Sequence, residues 1–251
     1  MIIWVERITK DFTTMIETVI FGAGGFGREV AWLIEEINRE EEKYKLLGFI
    51  DDDLSLVGKD VNSYPVLGGM DYLQSHPGLG MVVALGDPVA RLKAINRFKR
   101  YQLIYPNLIH PSVLIGGNVS IGIGNVICAG SIITVNIRIG NFCQLNLKTS
   151  IGHDSVLGDF TTTACSVDFA GYSHTEAGVY FGNQSTLLPS TSVGAFSIIG
   201  AGAVVNRNIP DGVVAVGVPA KVIKRNRIYE EIKETDIESL APDPVEGRAF
   251  H

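Results

Sequence analysis

Between Asn107 and Val205 an apolar residue returns at every sixth position. The series runs through Ile109, Ile115, Ile121, Ile127, Ile133, Ile139, Leu145, Ile151 and Leu157, and continues through Phe169, Phe181, Leu187, Val193, Ile199 and Val205. Only Thr163 and Thr175 break it, and the next position favours a small residue, as at Gly116, Gly140, Gly152, Gly158, Gly182 and Gly200. A period of six suits neither a helical face nor an alternating strand. Each unit must therefore bury its apolar residue against stacked neighbours, which is the signature of a repeat architecture. The arrangement that satisfies it is a parallel β-helix, with three hexads to a triangular coil of about 18 residues and coils about 4.8 Å apart. No insertion interrupts the hexads, so the stretch predicts a stiff prism. Ligands then lie on its outside or between prisms.

The remaining chain is long enough for a second, modest domain. With 251 residues, 46% of them apolar, there is ample material for a core. A net charge of −6 argues against a nucleic-acid surface. Cys128, Cys143 and Cys165 form no C-x-x-C pair, so they read as packing residues in a reducing cytosol rather than as thiolate ligands or a disulfide framework. The start carries acidic residues and no signal-peptide pattern, and no segment has the roughly 18 apolar residues of a membrane span. Residues 1–14 read as an extension that the fold does not need, and residues 225–251 as a charged tail without chemistry.

From Met15 to Tyr105 the pattern is α/β. A strand over Glu17–Phe21 leads into Gly22-Ala23-Gly24-Gly25-Phe26-Gly27 and then an amphipathic helix, the arrangement in which backbone N–H groups receive a phosphate. A second strand ends in Asp51-Asp52-Asp53, whose carboxylates can accept hydrogen bonds from a ribose or base. A third ends at Gly86-Asp87-Pro88, followed by the helix VARLKAINRFKR. G-x-G-x-x-G is matched at Gly22, Gly24 and Gly27, yet the segment holds only about half of a doubly wound dinucleotide fold, so a mononucleotide-sized ligand fits better than NAD. Tyr105-Pro106 marks the join to the prism, giving an N-terminal domain over 15–105 and a β-helix over 106–224. NRNIPDGVVAVGVPAKVIKR closes the prism as a coil-like segment.

His153, with Asp154 beside it, stands mid-prism after Ile151-Gly152. A carboxylate there orients the ring and favours its charged form. Imidazole is suited to taking a proton near neutral pH. The other histidines carry less: His76 lies in an SHPG turn, His251 is terminal, and His110 and His174 have no neighbouring carboxylate except across a turn. Gly171 follows His153 by one coil length. It is expected on the same corner, leaving space for a thioester and offering an N–H to a developing oxyanion. Asn183 and Ala201 are offset likewise on another corner. Zinc hydration chemistry would need three clustered imidazoles, and His110, His153 and His174 do not stack on one corner.

The hexad array, His153-Asp154 and the closing Gly217-Val218-Pro219-Ala220-Lys221 resemble left-handed β-helix acyltransferases. The segments GAGGFG, GFIDDD and VVALGD resemble one branch, the sugar acetyltransferases of the sialic acid O-acetyltransferase and bacillosamine-pathway type. That resemblance spans about Glu17 to Lys224. It implies a cytoplasmic homotrimer of surface-glycan biosynthesis with active sites between neighbouring prisms, no metal, acetyl-CoA as donor, and a nucleotide-linked or acidic sugar held by the N-terminal domain. It further implies His153 as base with Asp154 orienting it. Thr162, Gly171, Asn183, Ala201 and Lys221 fall to the donor side, and Gly24, Gly25, Phe26, Asp51, Asp52, Gly86 and Asn146 to the acceptor. Three positions depart from the family: Thr162 stands where a histidine is frequent, and Gly24 and Phe26 where the turn often carries His or Ser. The favoured acceptor is a nucleotide-linked 4-amino sugar. O-acetylation of a sialic-acid-like sugar and a non-catalytic nucleotide-sugar scaffold are the alternatives.

Overall fold

The computed structural model describes residues 15–233; the expected extension at 1–14 and the tail past Lys233 lie outside the described residues. Strands β1 (Ile16–Phe21), β2 (Tyr44–Ile50), β3 (Asp60–Val61), β4 (Tyr64–Gly68) and β5 (Gly80–Val83) form one sheet in the order β3-β4-β2-β1-β5, parallel except where β3 turns back on β4. Helix α1 (Gly25–Glu40) buries Val30, Ala31, Leu33, Ile34 and Ile37, the spacing of a single helical face. Short helix α2 (Met70–Ser75) precedes β5. Helix α3 (Pro88–Phe98) starts where Asp87 accepts the Ala90 N–H at 2.7 Å and Pro88 presets the first turn.

Strand order reverses between β1 and β5, which opens a crevice at the strands' carboxyl ends. Gly22 follows β1, Asp51 follows β2 and Gly86 follows the β5 segment, so three stretches distant in sequence meet at one edge. A Cβ on Gly27 would overlap the Gly22 carbonyl, so that last glycine of the turn is what lets α1 start so close to β1.

From Leu108 the chain winds as a three-faced prism of two-residue strands, each paired with those 18 residues away: Ile132 faces Leu114 on one side and Ser150 on the other. Outward positions on the first face are Leu108, Val126, Gln144, Thr162, Tyr180 and Ile198. The second face carries Ile132, Ser150 and Asp168, and the third Arg138, Val156 and His174. Inside, Ile127, Leu145, Ile151, Leu157, Phe181, Leu187 and Ile199 are buried to within 1% of complete.

The two interruptions of the apolar series are satisfied within the wall. Thr163 and Thr149 share a hydroxyl contact of 2.8 Å, and Thr175 and Thr161 one of 3.0 Å. Past Val205 the hexad rhythm is lost and the close is not a simple further coil. Ile209 bridges to Val193, Val213–Val216 extends the first face, and Lys221–Arg225 returns antiparallel to cover that edge, followed by α4 (Arg227–Lys233).

The N-terminal domain sits on the first face. Gln144 donates to the Val83 carbonyl at 2.8 Å, and the Tyr44 hydroxyl to that of Asn107 at 3.2 Å. The centre of this junction is Arg91 of α3, 1% exposed. Its guanidinium donates to the carbonyls of Phe142 (2.9 Å), Leu85 (2.5 Å) and Phe160 (2.8 Å) and to the Thr162 hydroxyl (2.7 Å). Burial pulls its pKa down to about 10, so the group stays charged at neutral pH with carbonyl dipoles in place of a carboxylate.

Candidate active site

His153 and Asp154 form the turn joining the second face to the third, between Ser150–Ile151 and Val156–Leu157. Asp154 takes a left-handed conformation (φ 60°), which Asp tolerates better than most residues. That conformation brings its Oδ2 within 2.8 Å of His153 Nδ1 although the two are adjacent in sequence. Since an ionised carboxylate only accepts, Nδ1 carries the proton and Nε2 is the free base in the neutral ring. Hydrogen bonding from His153, then from Asn136 and Tyr172, holds the Asp154 carboxyl below the usual carboxylate range. The Tyr172 ring stands edge-on to the imidazole with centroids 5.2 Å apart.

Gly171 lies one coil on from His153, and the neighbouring Tyr172 N–H donates to the His153 carbonyl at 2.9 Å. A Cβ on Gly171 would stand 2.5 Å from His153 Nε2, so the imidazole rests over a bare Cα. The backbone here has a second property. At equivalent places on other corners the N–H is taken by a side chain one coil further on: Asn141 by Asp159 at 2.7 Å, and Cys165 by Asn183 at 2.9 Å. One coil beyond Gly171 comes Pro189, which has no such acceptor, and among the described residues nothing accepts the Gly171 N–H. The imidazole itself takes the space that the glycine was expected to leave for a thioester, and a free base and a free donor lie side by side on this corner.

The acceptor-side residues gather at the crevice of the N-terminal domain. Gly24 caps α1 with no side-chain acceptor, and no acidic residue lies in the first turn, which leaves amide donors for an anion. Phe26 is half-buried against the α1 side of the core. Asp51 turns inward, accepting from the Ala23 N–H at 2.8 Å and so bracing the glycine turn. Asp52 is held by two Arg97 donors at 2.7 Å each, and this bonding lowers its pKa. Gly86 opens on a cleft of about 360 Å³ bounded by Val89, Tyr180, Phe196 and Asn226.

Asn146 stands apart from both groups, on the corner between the first and second faces, where its Oδ1 accepts the Leu147 N–H at 2.7 Å. On that same corner Asn183 and Ala201 are exposed and stacked, with the Gly202 N–H donating to the Asn183 carbonyl at 2.8 Å. Lys221 is exposed on the closing antiparallel strand.

Thr162 corrects the expectation that it serves the donor. It is 4% exposed beneath α3 and its hydroxyl is engaged by Arg91, so it belongs to the domain junction. Among the described residues, no three His, Cys, Asp or Glu side chains are grouped so as to hold a metal ion, and no helix is long and apolar enough to cross a membrane.

Residues 17–98 match the family model of the PglD N-terminal domain. The chain is 32% identical over 219 residues to GDP-perosamine N-acetyltransferase of Escherichia coli O157:H7, an alignment covering 82% of this chain and 96% of that one. The chain belongs to the hexapeptide-repeat sugar acetyltransferases. Similar solved structures agree. PerB from Caulobacter crescentus in complex with CoA and GDP-perosamine matches with a TM-score of 0.74 at 29% identity, over 84% of this chain and 98% of that one. WeeI from Acinetobacter baumannii AYE matches with 0.74 at 32% over 84% and 100%. The acetyltransferase domain of PglB from Neisseria gonorrhoeae FA1090 in complex with acetyl coenzyme A reaches 0.76 at 26%, over 84% and 100%. The prism of this acetyltransferase is accordingly the left-handed β-helix.

Two features of the structure have no counterpart in the sequence reading. An arginine on an amphipathic helix gives no sign that it will be buried, as Arg91 is. Asn136, which donates to Asp154 Oδ1 at 3.1 Å, was within reach of the 18-residue offset that located Gly171.

Proposed function

We propose that this acetyltransferase moves an acetyl group from acetyl-CoA to the amino group of a nucleotide-linked 4-amino sugar, with His153 as general base. The observation that carries the reading is the pairing of His153 Nε2 with the bare Cα and free N–H of Gly171. Acetyl-CoA supplies an activated thioester, and its carbonyl would lie beside the imidazole that occupies the space left by Gly171, within reach of the Gly171 N–H. His153 Nε2 takes the proton that the sugar amine sheds as it attacks, and later returns it to the departing sulfur. Asp154 holds Nδ1–H and steadies the imidazolium that forms. The Gly171 N–H meets the charge that develops on the carbonyl oxygen. Asn183 and Ala201 offer a small-residue column for the pantetheine arm, and the donors at Gly24 and Gly25 a seat for the nucleotide phosphates.

The layout also supports assembly as a homotrimer. The acceptor crevice rides on the first face, whereas His153 sits on the corner between the second and third, so one chain does not bring the two together. A site at the boundary between copies does. Three free cysteines suit a reducing cytoplasm.

The test is a thiol-release assay with acetyl-CoA across GDP-, UDP- and dTDP-linked 4-amino sugars, with a CMP-linked sialic acid as the hydroxyl comparison. Turnover confined to amino sugars supports the reading. Turnover on the hydroxyl acceptor alone, or nucleotide-sugar binding with no CoA release on any acceptor, overturns it.

A further inference from the structure

Asp154 is the end of a ladder. Its corner position repeats every coil as Asn118, Asn136 and Asp154, all left-handed with φ of 58°, 58° and 60°. Asn118 Nδ2 donates to Asn136 Oδ1 at 3.1 Å, and Asn136 Nδ2 donates to Asp154 Oδ1 at 3.1 Å, while Asp154 Oδ2 faces His153 Nδ1 at 2.8 Å. The direction of this chain of bonds follows from chemistry. The carboxylate accepts only, so Asn136 must point its amide nitrogen at Asp154. Its oxygen then faces Asn118, which must donate in turn. Each amide is thereby fixed by its neighbours, and the carboxylate they end on cannot rotate away from the imidazole without losing a charge-assisted bond.

We infer that Asn136 is a positioning residue for catalysis, setting the Asp154 carboxylate and through it the His153 ring, and that Asn118 fixes which way Asn136 points. The inference rests on the reading of His153 as base. Neither asparagine touches the reacting atoms. The groups that act on the Asp154 carboxyl are His153, Asn136 and Tyr172, so Asn136 supplies the one neutral amide donor to it. An asparagine is suited to both requirements, since it accepts a positive φ and donates while carrying no charge.

Glycine also accepts a positive φ, so Asn136→Gly removes the amide without straining the corner. It should lower kcat about tenfold, the scale of one lost hydrogen bond to a charged group, with KM for acetyl-CoA unchanged. Asn118→Asp presents an acceptor to Asn136 and turns its amide round, so that an oxygen now faces Asp154. It should lower kcat by a similar factor although it lies two coils from the histidine. Asn118→Gly only releases Asn136, so its loss should be clearly smaller than that of Asn118→Asp. The double variant Asn118→Asp/Asn136→Gly should be no worse than Asn136→Gly, because the relay is already cut.

A second readout needs no acceptor. Ring-nitrogen NMR on isotope-labelled histidine, with the His153 signals assigned by their loss in His153→Ala, reports the tautomer directly. The wild type should hold the proton on Nδ1, and both Asn136→Gly and Asn118→Asp should shift population toward Nε2–H. Equal kcat values for the two Asn118 variants, or an unchanged tautomer in Asn136→Gly, overturn the inference. If His153→Ala were itself fully active, the assignment of the base would fail, while the NMR comparison would still decide the ladder.

Discussion

His153 Nε2 lies over the Cα of Gly171, so that a Cβ at residue 171 would stand 2.5 Å from it. The glycine does not have a positive φ, so its value lies in the space it leaves. Gly171→Ala should therefore cost little stability, under about 1 kcal/mol, because the half-exposed imidazole can swing aside. The displaced ring should lower kcat about a hundredfold, the penalty for a misplacement near 1 Å. Thermal melts and steady-state kinetics check the two halves. A variant with normal kcat would mean that the ring position seen here is not the working one.

Arg91 ties the two domains through carbonyls that have no other guanidinium to turn to. Arg91→Met keeps much of the volume but leaves the Leu85 and Phe142 carbonyls without their donor and the Phe160 carbonyl with only the Thr162 hydroxyl at 3.5 Å. Stability should fall by about 3 kcal/mol, which for a chain of this size lowers Tm by roughly 6–12 °C. Arg91→Lys should not restore it, since a single ammonium cannot reach acceptors arranged around a planar fork. A change in Tm below about 2 °C in Arg91→Met would contradict the role.

The three thiols should differ in reactivity. Burial pushes Cys128 and Cys143 up to about 12, so at pH 8 they should resist thiol reagents in the native protein. Cys165 is only partly covered and stands on the corner shared with Asn183 and Ala201, bonded through its N–H to Asn183. It should label, and acetyl-CoA should protect it if the pantetheine arm runs along that corner. Mass spectrometry after brief labelling reads this out, and unprotected Cys165 at saturating acetyl-CoA would move the donor elsewhere.

The Asp52–Arg97 pair ties the loop after β2 to α3 but is largely exposed, with side chains 54% and 44% accessible. Arg97→Ala should thus cost no more than about 1 kcal/mol at pH 7. Bonding to Arg97 lowers the Asp52 pKa in the folded state. The contribution is therefore complete above the unfolded value of about 3.9 and disappears as pH falls through the lower folded value. Denaturant titrations of wild type and Arg97→Ala should converge well below pH ~4; a gap that widens on acidification would reverse the sign.

Much of this could be read from period alone. A hexad assigns each residue to the inside or outside of the wall, and the 18-residue offset places Gly171 next to His153 before any coordinates. Period does not say which outward face will be covered by another domain. The resemblance puts Thr162 on the donor side, and nothing in the period reveals that α3 covers it. Arg91 escaped for a related reason: on a helical face, burial of a charge depends on carbonyls from Phe142 and Phe160 whose proximity no local pattern encodes. Thr163 and Thr175 looked like defects in the apolar series, yet Thr149 and Thr161 partner them, a compensation visible only once the coils are stacked.

The most direct measurement is acetyl transfer by His153→Ala, assayed as thiol release with the best amino-sugar acceptor, alongside sedimentation to confirm the assembly. Loss of the imidazole proposed as base should lower kcat by about a hundredfold to ten-thousandfold while leaving the oligomer and acetyl-CoA binding intact. Wild-type turnover in a correctly assembled variant would show that another group takes the proton, and the site built on this corner would have to be abandoned.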